Sequence, residues 1–186
     1  MPAAHPRPRL IAFLRALNVG GHNVTTMEKL RGLFEALGLK NVETFIASGN
    51  VIFTSPSGGI GTLQKRIEAH LRKSLGYEVH VFLRTESEVA AIARYKPFEE
   101  SKLRSAVALN VGFLAEPLEA GATKAVMALK TEIDEFHVKG RELYWLCKKK
   151  QTESKVSKAH FEKALKVPVT FRGLKTIMRL ATKCAG

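Results

Sequence analysis

The order of strand-like and helix-like segments constrains this sequence most, because the same order occurs twice. An apolar run over Leu10–Leu14 begins a series of strand, helix, two strands, helix and strand. This β-α-β-β-α-β order is typical of ferredoxin-like folds. The second half repeats the series from Val107 and adds a helix over Leu174–Ala185. The sequence therefore predicts an α+β protein of two ferredoxin-like (split β-α-β) halves in tandem, with largely antiparallel sheets and a C-terminal helix.

Capping and turn residues predict where several of these elements begin and end. Thr25-Thr-Met-Glu28 has the spacing of a capping box, and Gly38 is well placed to end the helix that follows. Ser48-Gly49-Asn50 predicts a hairpin turn between strands over Glu43–Ala47 and Val51–Thr54. In the second half, a helix is expected over residues 123–132. On the terminal helix, the apolar spacing predicts a buried stripe of Leu174, Ile177, Met178 and Ala181.

The same patterns divide the chain into four parts. Residues 1–8, which include three prolines, are expected to form a disordered tail. Residues 9–84 form the first half, residues 85–104 a bridging helix and linker, and residues 105–186 the second half with its basic C-terminal helix. No apolar run approaches the ~20 residues that span a bilayer, and the first residues do not resemble a signal peptide. With only two cysteines, a reduced cytoplasmic protein without a membrane partner is expected.

The charge of the chain is strongly positive and unevenly distributed. Thirty Lys and Arg face 17 Asp and Glu, a net charge of +13. Residues 148–186 alone contain 11 basic and 2 acidic residues. This concentration predicts a surface for phosphate backbones, whereas the alternative is a solvated basic face that aids solubility. The candidate nucleic-acid-binding residues are Lys155, Lys158, Lys175 and Arg179.

The aromatic residues of the first half do not indicate a base-reading surface. The third strand lacks the basic-glycine-aromatic signature of RNA-recognition modules. Phe13, Phe45 and Phe53 are expected in the core, because their strands have the pattern of strands covered on both faces. Sequence-specific recognition of bases is therefore not predicted.

A double glycine between the first strand and the first helix is the best local indication of a ligand. Converging backbone N–H groups and a helix N-terminus favour an anion there. The alternative is a tight connection whose asparagines bond local backbone. The loop matches neither a dinucleotide-binding nor a P-loop motif. The candidate anion-binding residues are Arg15, Asn18, Gly20, Gly21, His22 and Asn23.

Familiar catalytic arrangements are absent from the sequence. Asp134 is the only aspartate, which disfavours paired-carboxylate chemistry, and the six histidines have no metal-ligand spacing. A pair between Cys147 and a histidine stays open, although a buried structural cysteine is more common. No cofactor and no metal are expected.

Three blocks of sequence resemble a known family. They are Phe13-Leu-Arg-Ala-Leu-Asn-Val-Gly-Gly21, Thr44-Phe-Ile-Ala-Ser-Gly-Asn-Val-Ile-Phe53 and Ser154-Lys-Val-Ser-Lys-Ala-His-Phe-Glu-Lys-Ala-Leu165. The chain is similar in these blocks to the domain of unknown function 1697 family, which is mostly bacterial. It departs from the family at Ala16 and Gly173, where glycine and asparagine are frequent. The resemblance implies a two-part α+β fold in a cytoplasmic protein, and it implies no activity.

Two functions remain open at this point. The first, which the charge favours, is a non-enzymatic binding protein for an anionic partner, either nucleic acid or a phosphorylated small molecule. The second is a small enzyme that acts on a phosphorylated or carboxylated substrate at the Gly20–Gly21 loop. In that enzyme His22 would serve as acid or base and Arg15 as anion clamp. Whether the protein is an enzyme is not decided by its sequence.

Overall fold

A computed structural model of the chain describes residues 7–15, 17, 24–46, 49–56 and 59–186. Residues 1–6 of the predicted tail lie outside this range. The chain divides into two compact units. Unit 1 comprises residues 1–90 together with 180–186, and unit 2 comprises residues 91–179. Within the described residues, no helix is both long and apolar enough to cross a membrane.

Unit 1 contains one four-stranded antiparallel sheet in the order β2-β3-β1-β4. This is the strand order of a ferredoxin-like fold, in which the first strand lies between the third and fourth strands and the second strand is at the edge beside the third. Helix α3 follows the last strand of this unit and continues past residue 90. The elements are β1 (Arg9–Arg15), α1 (Met27–Glu35), β2 (Lys40–Thr44), β3 (Asn50–Thr54), α2 (Ile60–Leu75), β4 (His80–Thr85) and α3 (Glu86–Arg94).

Unit 2 repeats this architecture with a sheet in the order β6-β7-β5-β8, again antiparallel throughout. The predicted duplication and the terminal helix are confirmed. A short helix, α4, lies within the segment predicted as bridging helix and linker. The elements are α4 (Glu100–Ser105), β5 (Ala108–Phe113), α5 (Ala120–Met127), β6 (Asp134–Lys139), β7 (Glu142–Cys147), α6 (Lys158–Leu165), β8 (Thr170–Gly173) and α7 (Leu174–Ala185), of which residues 180–185 belong to unit 1.

Strand β1 is buried on both faces, as its continuous apolar run predicts. Leu10, Ala12 and Leu14 belong to the core that also contains Leu30 of α1 and Ile67 of α2. On the opposite face, Ile11 and Phe13 are also fully buried. In unit 2 the corresponding core is aromatic, with Phe136, Trp145, Phe161 and Phe171 at centroid separations of 4.9–6.1 Å. Burial of these large side chains is the main force that holds each unit together.

A pair of buried arginines occupies the same place in the two units. Arg84 on β4 pairs with Ile11 on the central strand β1, and Arg172 on β8 pairs with Val111 on the central strand β5. Each donates Nη1 to the carbonyl of the residue before it, at 2.8 Å and 2.9 Å respectively. Burial lowers the pKa of Arg172 to about 10. The two units therefore share a buried arginine with the same backbone contact, in addition to their shared order of elements.

Three details of the local prediction are wrong. The N-cap of α1 is Thr26, whose hydroxyl accepts from the N–H of Lys29 at 3.1 Å, whereas Thr25 is buried and its hydroxyl lies 3.4 Å from that of Tyr77. Helix α5 begins earlier and ends earlier than the predicted range. On α7 the fully buried residues are Ile177 and Leu180.

The predicted stripe on α7 is rotated about the helix axis. Cys184 is also buried on this helix, whereas Met178 is 50% exposed. Spacings of three and four residues align Ile177, Leu180 and Cys184 on one side of the helix, and Met178 lies about 100° away from Ile177.

Candidate functional site

The predicted anion loop lies almost wholly outside the described residues. Asn18, Gly20, Gly21, His22 and Asn23 are among those that the structure does not describe. Arg15 ends β1, is partly exposed and pairs in register with His80 of β4. The anion site in this loop therefore stays a prediction.

Gly49 and Asn50 of the predicted hairpin turn have structural roles in the turn itself. Ser48 is outside the described range, but Gly49 has φ of +76° and its carbonyl accepts from the N–H of Leu14 at 2.9 Å. Asn50 is fully buried, and its Nδ2 donates to the carbonyl of Phe45 at 3.0 Å. The amide thus holds the turn together, which agrees with the turn interpretation of this motif.

The predicted nucleic-acid-binding residues are all exposed and lie on three segments of unit 2. Lys155 is in the loop before α6, and Lys158 is the first residue of α6, where its Nζ is 3.6 Å from Glu162. Lys175 and Arg179 are one turn apart on α7. They supply positive charge to the surface of unit 2, but the contacts of the described residues do not bring the four side chains together around one group.

A tighter group of cations surrounds Glu135 at the start of β6. The Glu135 side chain is only 8% exposed, and Lys102 of α4 donates to its Oε2 at 2.8 Å. Lys148, just after β7, lies 3.3 Å from Oε1, and Lys130, between α5 and β6, lies 3.9 Å from Oε2. One carboxylate therefore faces three ammonium groups. We call these four residues the lysine cluster.

The electrostatics of the lysine cluster leave positive charge at the surface. The hydrogen bond from Lys102 holds the pKa of Glu135 below its ordinary value, and Lys148 and Lys130 act in the same direction. The same hydrogen bond raises the pKa of Lys102. Three lysines against one carboxylate give the cluster a formal net charge of +2. The lysine side chains are 40–59% exposed, which keeps this excess within reach of a partner.

Aromatic side chains lie beside the lysine cluster. The hydroxyl of Tyr95, just after α3, is 2.8 Å from Nε2 of His137, and the ring of Phe98 is 6.2 Å from the His137 ring. Tyr144 backs the Tyr95 ring at a centroid distance of 5.3 Å. Above Tyr95, the ammonium of Lys139 lies 3.9 Å from the ring centroid, in a cation–π contact. We call Tyr95, Phe98 and His137 the aromatic cluster.

Strand geometry makes the two clusters neighbours. Glu135, His137 and Lys139 alternate along β6, so their side chains emerge on one face of the sheet. Burial lowers the pKa of His137, and the charge of Lys139 lowers it further. A neutral imidazole with its proton on Nδ1 can accept a hydrogen bond from the Tyr95 hydroxyl at Nε2. The result is a cationic and aromatic surface on a rigid strand.

The opposite face of β6 carries a buried carboxylate with a structural role. Asp134 is fully buried and accepts from the Thr131 hydroxyl at 2.7 Å, the Trp145 indole at 2.8 Å and the Ser154 hydroxyl at 2.9 Å. Cys147 places its Sγ 3.8 Å from the same carboxylate. Burial, assisted by Asp134, raises the pKa of the Cys147 thiol to about 12. Such a thiol is unreactive, which favours the structural interpretation of this cysteine over a catalytic pair with histidine.

Among the described residues, no three His, Cys, Asp or Glu side chains form a group that could hold a metal ion.

Sequence reasoning found part of this surface and missed the rest. Lys148 belongs to a visible run of three lysines. The Tyr95–His137 contact joins residues 42 positions apart, and no local pattern reports it. The one usable signal was the alternation of Glu135, His137 and Lys139 with apolar residues on a predicted strand.

Comparisons with known proteins give a family and a fold. A family model described as a protein of unknown function (DUF1697) matches residues 8–144. The solved structure of the conserved bacterial protein SP0830 from Streptococcus pneumoniae has a TM-score of 0.76 and 24% sequence identity, and the match covers 97% of this chain and 100% of that one. No curated protein matches the sequence. At this identity the structural likeness shows the fold alone.

Proposed function

Because this chain belongs to the DUF1697 family of proteins of unknown function, its role has to be argued from its own surface, and we propose that it is a non-enzymatic protein that binds nucleic acid through unit 2. The observation that carries the proposal is the lysine cluster, in which three exposed ammonium groups share one buried carboxylate. Phosphate oxygens are the groups that such an excess of charge attracts most strongly.

Charge outside the cluster supports the same partner. Residues 91–179 contain 18 Lys and Arg against 10 Asp and Glu. Lys155, Lys158, Lys175 and Arg179 extend the positive surface beyond the cluster. An extended anion can contact several of these cations at once and release a counterion at each, whereas a phosphorylated small molecule can use only a few. A polymer of phosphates therefore fits the distribution better than a metabolite does.

The fixed geometry of the cluster adds to its affinity. Lys102 comes from α4, Lys130 from the turn after α5 and Lys148 from the end of β7, and Glu135 draws all three together. Because the carboxylate already orders these side chains, less conformational entropy is lost when a phosphate binds them. The alternative function, an enzyme at the Gly20–Gly21 loop, gains no support from the described residues.

The test is a fluorescence-anisotropy titration of a labelled single-stranded RNA over a series of salt concentrations. The variant Lys130→Gln/Lys148→Gln removes two cations and leaves Lys102 to neutralise Glu135. The matched control, Lys65→Gln/Lys73→Gln, removes two exposed cations from α2 in unit 1. We expect the dependence of log K on log salt to become shallower by about 0.7 for each cluster lysine removed.

The control variant should retain nearly the affinity and slope of the wild type. Equal loss in the two variants would mean that net charge alone attracts the RNA and would contradict a site at the lysine cluster. Binding that does not weaken with salt, or no binding at low salt, would refute the proposal. Competition by a nucleoside monophosphate as effective as that by RNA would point instead to a phosphorylated small molecule.

A further inference from the structure

We propose that the aromatic cluster is a stacking subsite for an unpaired base, so that the partner of unit 2 is single-stranded rather than double-stranded nucleic acid. This inference rests on the proposed function, because it assumes that phosphates bind at the lysine cluster. Bases of a duplex have their faces covered by their neighbours, whereas unpaired bases offer a face to an aromatic ring. The aromatic cluster therefore determines the class of nucleic acid, and the lysines supply sequence-independent attraction.

The rings of the aromatic cluster lie close to the lysine cluster along β6. Glu135 and His137 are two residues apart on the same face of β6, a separation of about 7 Å at the usual rise per strand residue. A nucleotide whose base lies on the aromatic cluster thus has its phosphates beside the lysine cluster. Stacking rings next to a cationic track are the recurring design of proteins that bind single strands.

The side chains of Tyr95, Phe98 and His137 are each partly exposed. A phenyl ring such as that of Phe98 is usually driven into the core, and unit 2 has an aromatic core of its own around Trp145. Tyr95 is also held in place, because its hydroxyl bonds His137 and its ring packs on Tyr144. A ring that is already oriented loses little entropy when a base stacks on it.

The ammonium of Lys139 covers the Tyr95 ring, 3.9 Å from its centroid. Lys139 is exposed, and its flexible side chain can leave the ring without disturbing the strand. A base that takes its place gains the stacking contact, and the freed ammonium can then pair with a phosphate of the same strand. When a base replaces Lys139 on the ring, Tyr95 therefore gains a stacking partner and Lys139 gains a phosphate.

The experiment compares two labelled probes of equal length and phosphate number, a short oligouridylate and an abasic strand. The variants are Tyr95→Leu, which removes the ring but keeps an apolar side chain, and Tyr95→Phe, which keeps the ring and removes the hydroxyl. We expect the wild type to bind the oligouridylate at least about tenfold more tightly than the abasic strand. Tyr95→Leu should weaken oligouridylate binding about tenfold and leave abasic binding unchanged. Tyr95→Phe keeps the stacking face but loses the bond to His137, so it should weaken oligouridylate binding by less than Tyr95→Leu does.

The outcomes separate this inference from the proposed function. Equal wild-type affinity for the two probes would overturn the stacking subsite while phosphate binding stands, and that comparison needs no variant. Equal weakening of both probes by Tyr95→Leu would also overturn it. Failure of both probes to bind the wild type would refute the proposed function itself. Trp145 emission, which reports the core of unit 2, serves as the folding control for each variant.

Discussion

Replacing Gly173 by serine should stabilise unit 2. Gly173 on β8 pairs in register with Asn110 on β5, so a side chain at either position points to the same face of the sheet. Asn110 is 9% exposed, and its buried Nδ2 has no hydrogen-bond partner among the described residues. A Cβ at Gly173 would meet no atom within 4 Å, and the φ of Gly173 lies outside the left-handed region. The site can therefore accept a side chain that reaches the unpaired amide.

Two contributions set the expected magnitude. Removing the conformational freedom of a strand glycine is worth about 0.5–1 kcal/mol, which Gly173→Ala measures alone. A serine hydroxyl that accepts from Nδ2 of Asn110 adds about 1 kcal/mol. Gly173→Ser should thus raise the free energy of unfolding by about 1.5–2 kcal/mol.

Urea titrations followed by the emission of Trp145 provide the assay, because this single tryptophan lies in the core of unit 2. In an Asn110→Ala background, the advantage of serine over alanine at position 173 should disappear. The reasoning fails if Gly173→Ala destabilises the unit. It also fails if serine is no better than alanine while Asn110 is present.

Two further predictions follow from the ionisable groups of unit 2. Burial raises the pKa of Cys147 to about 12, so its thiol should resist iodoacetamide at about pH 8 in the native protein and react after unfolding. Mass spectrometry would detect the labelled thiol, and rapid labelling of the native protein would contradict this prediction. The pKa of Glu135 is lower in the folded protein than in the unfolded chain. Its ion pairs therefore stabilise the fold fully at a pH above the pKa of the unfolded chain, and this stabilisation is lost as the pH falls through the lower pKa of the folded protein. The difference in unfolding free energy between wild type and Glu135→Gln should therefore shrink between neutral pH and about pH 3, and a difference independent of pH would disprove the assignment.

The fold was largely predictable because its determinants are local. Hydrophobic period and turn residues report element type, and the terminal helix has the bounds that its pattern predicts, Leu174–Ala185. The orientation of that helix was not predictable in the same way. Several stripes of similar apolarity can be drawn on it, and tertiary packing selects the one that contains Leu180 in place of Met178.

The candidate site was less predictable because its contacts join distant parts of the chain. A lysine run indicates charge, but nothing in the sequence shows that Lys102, Lys130 and Lys148 meet at one carboxylate. Strand register decides that contact, and register depends on the whole sheet. Tyr95 lies in a segment predicted only as a bridging helix and linker, and its partner His137 is on a strand 42 residues later.

The repeat itself argues that binding belongs to the second half. Both units have a carboxylate on the outer hairpin strand, Glu43 on β2 and Glu135 on β6. Glu43 is 51% exposed and meets Lys183 at 2.8 Å, an exposed pair of the kind that contributes little free energy and leaves no excess charge. Glu135 is not the register counterpart of Glu43, which the strand pairing aligns with His137. Glu135 is buried and meets three lysines, so the outer hairpin strand of unit 2 has an excess of two formal positive charges at this carboxylate. The two units keep Arg84 and Arg172 alike but differ in charge on their outer hairpin strands, and this difference is our reason for assigning the proposed phosphate contacts to unit 2.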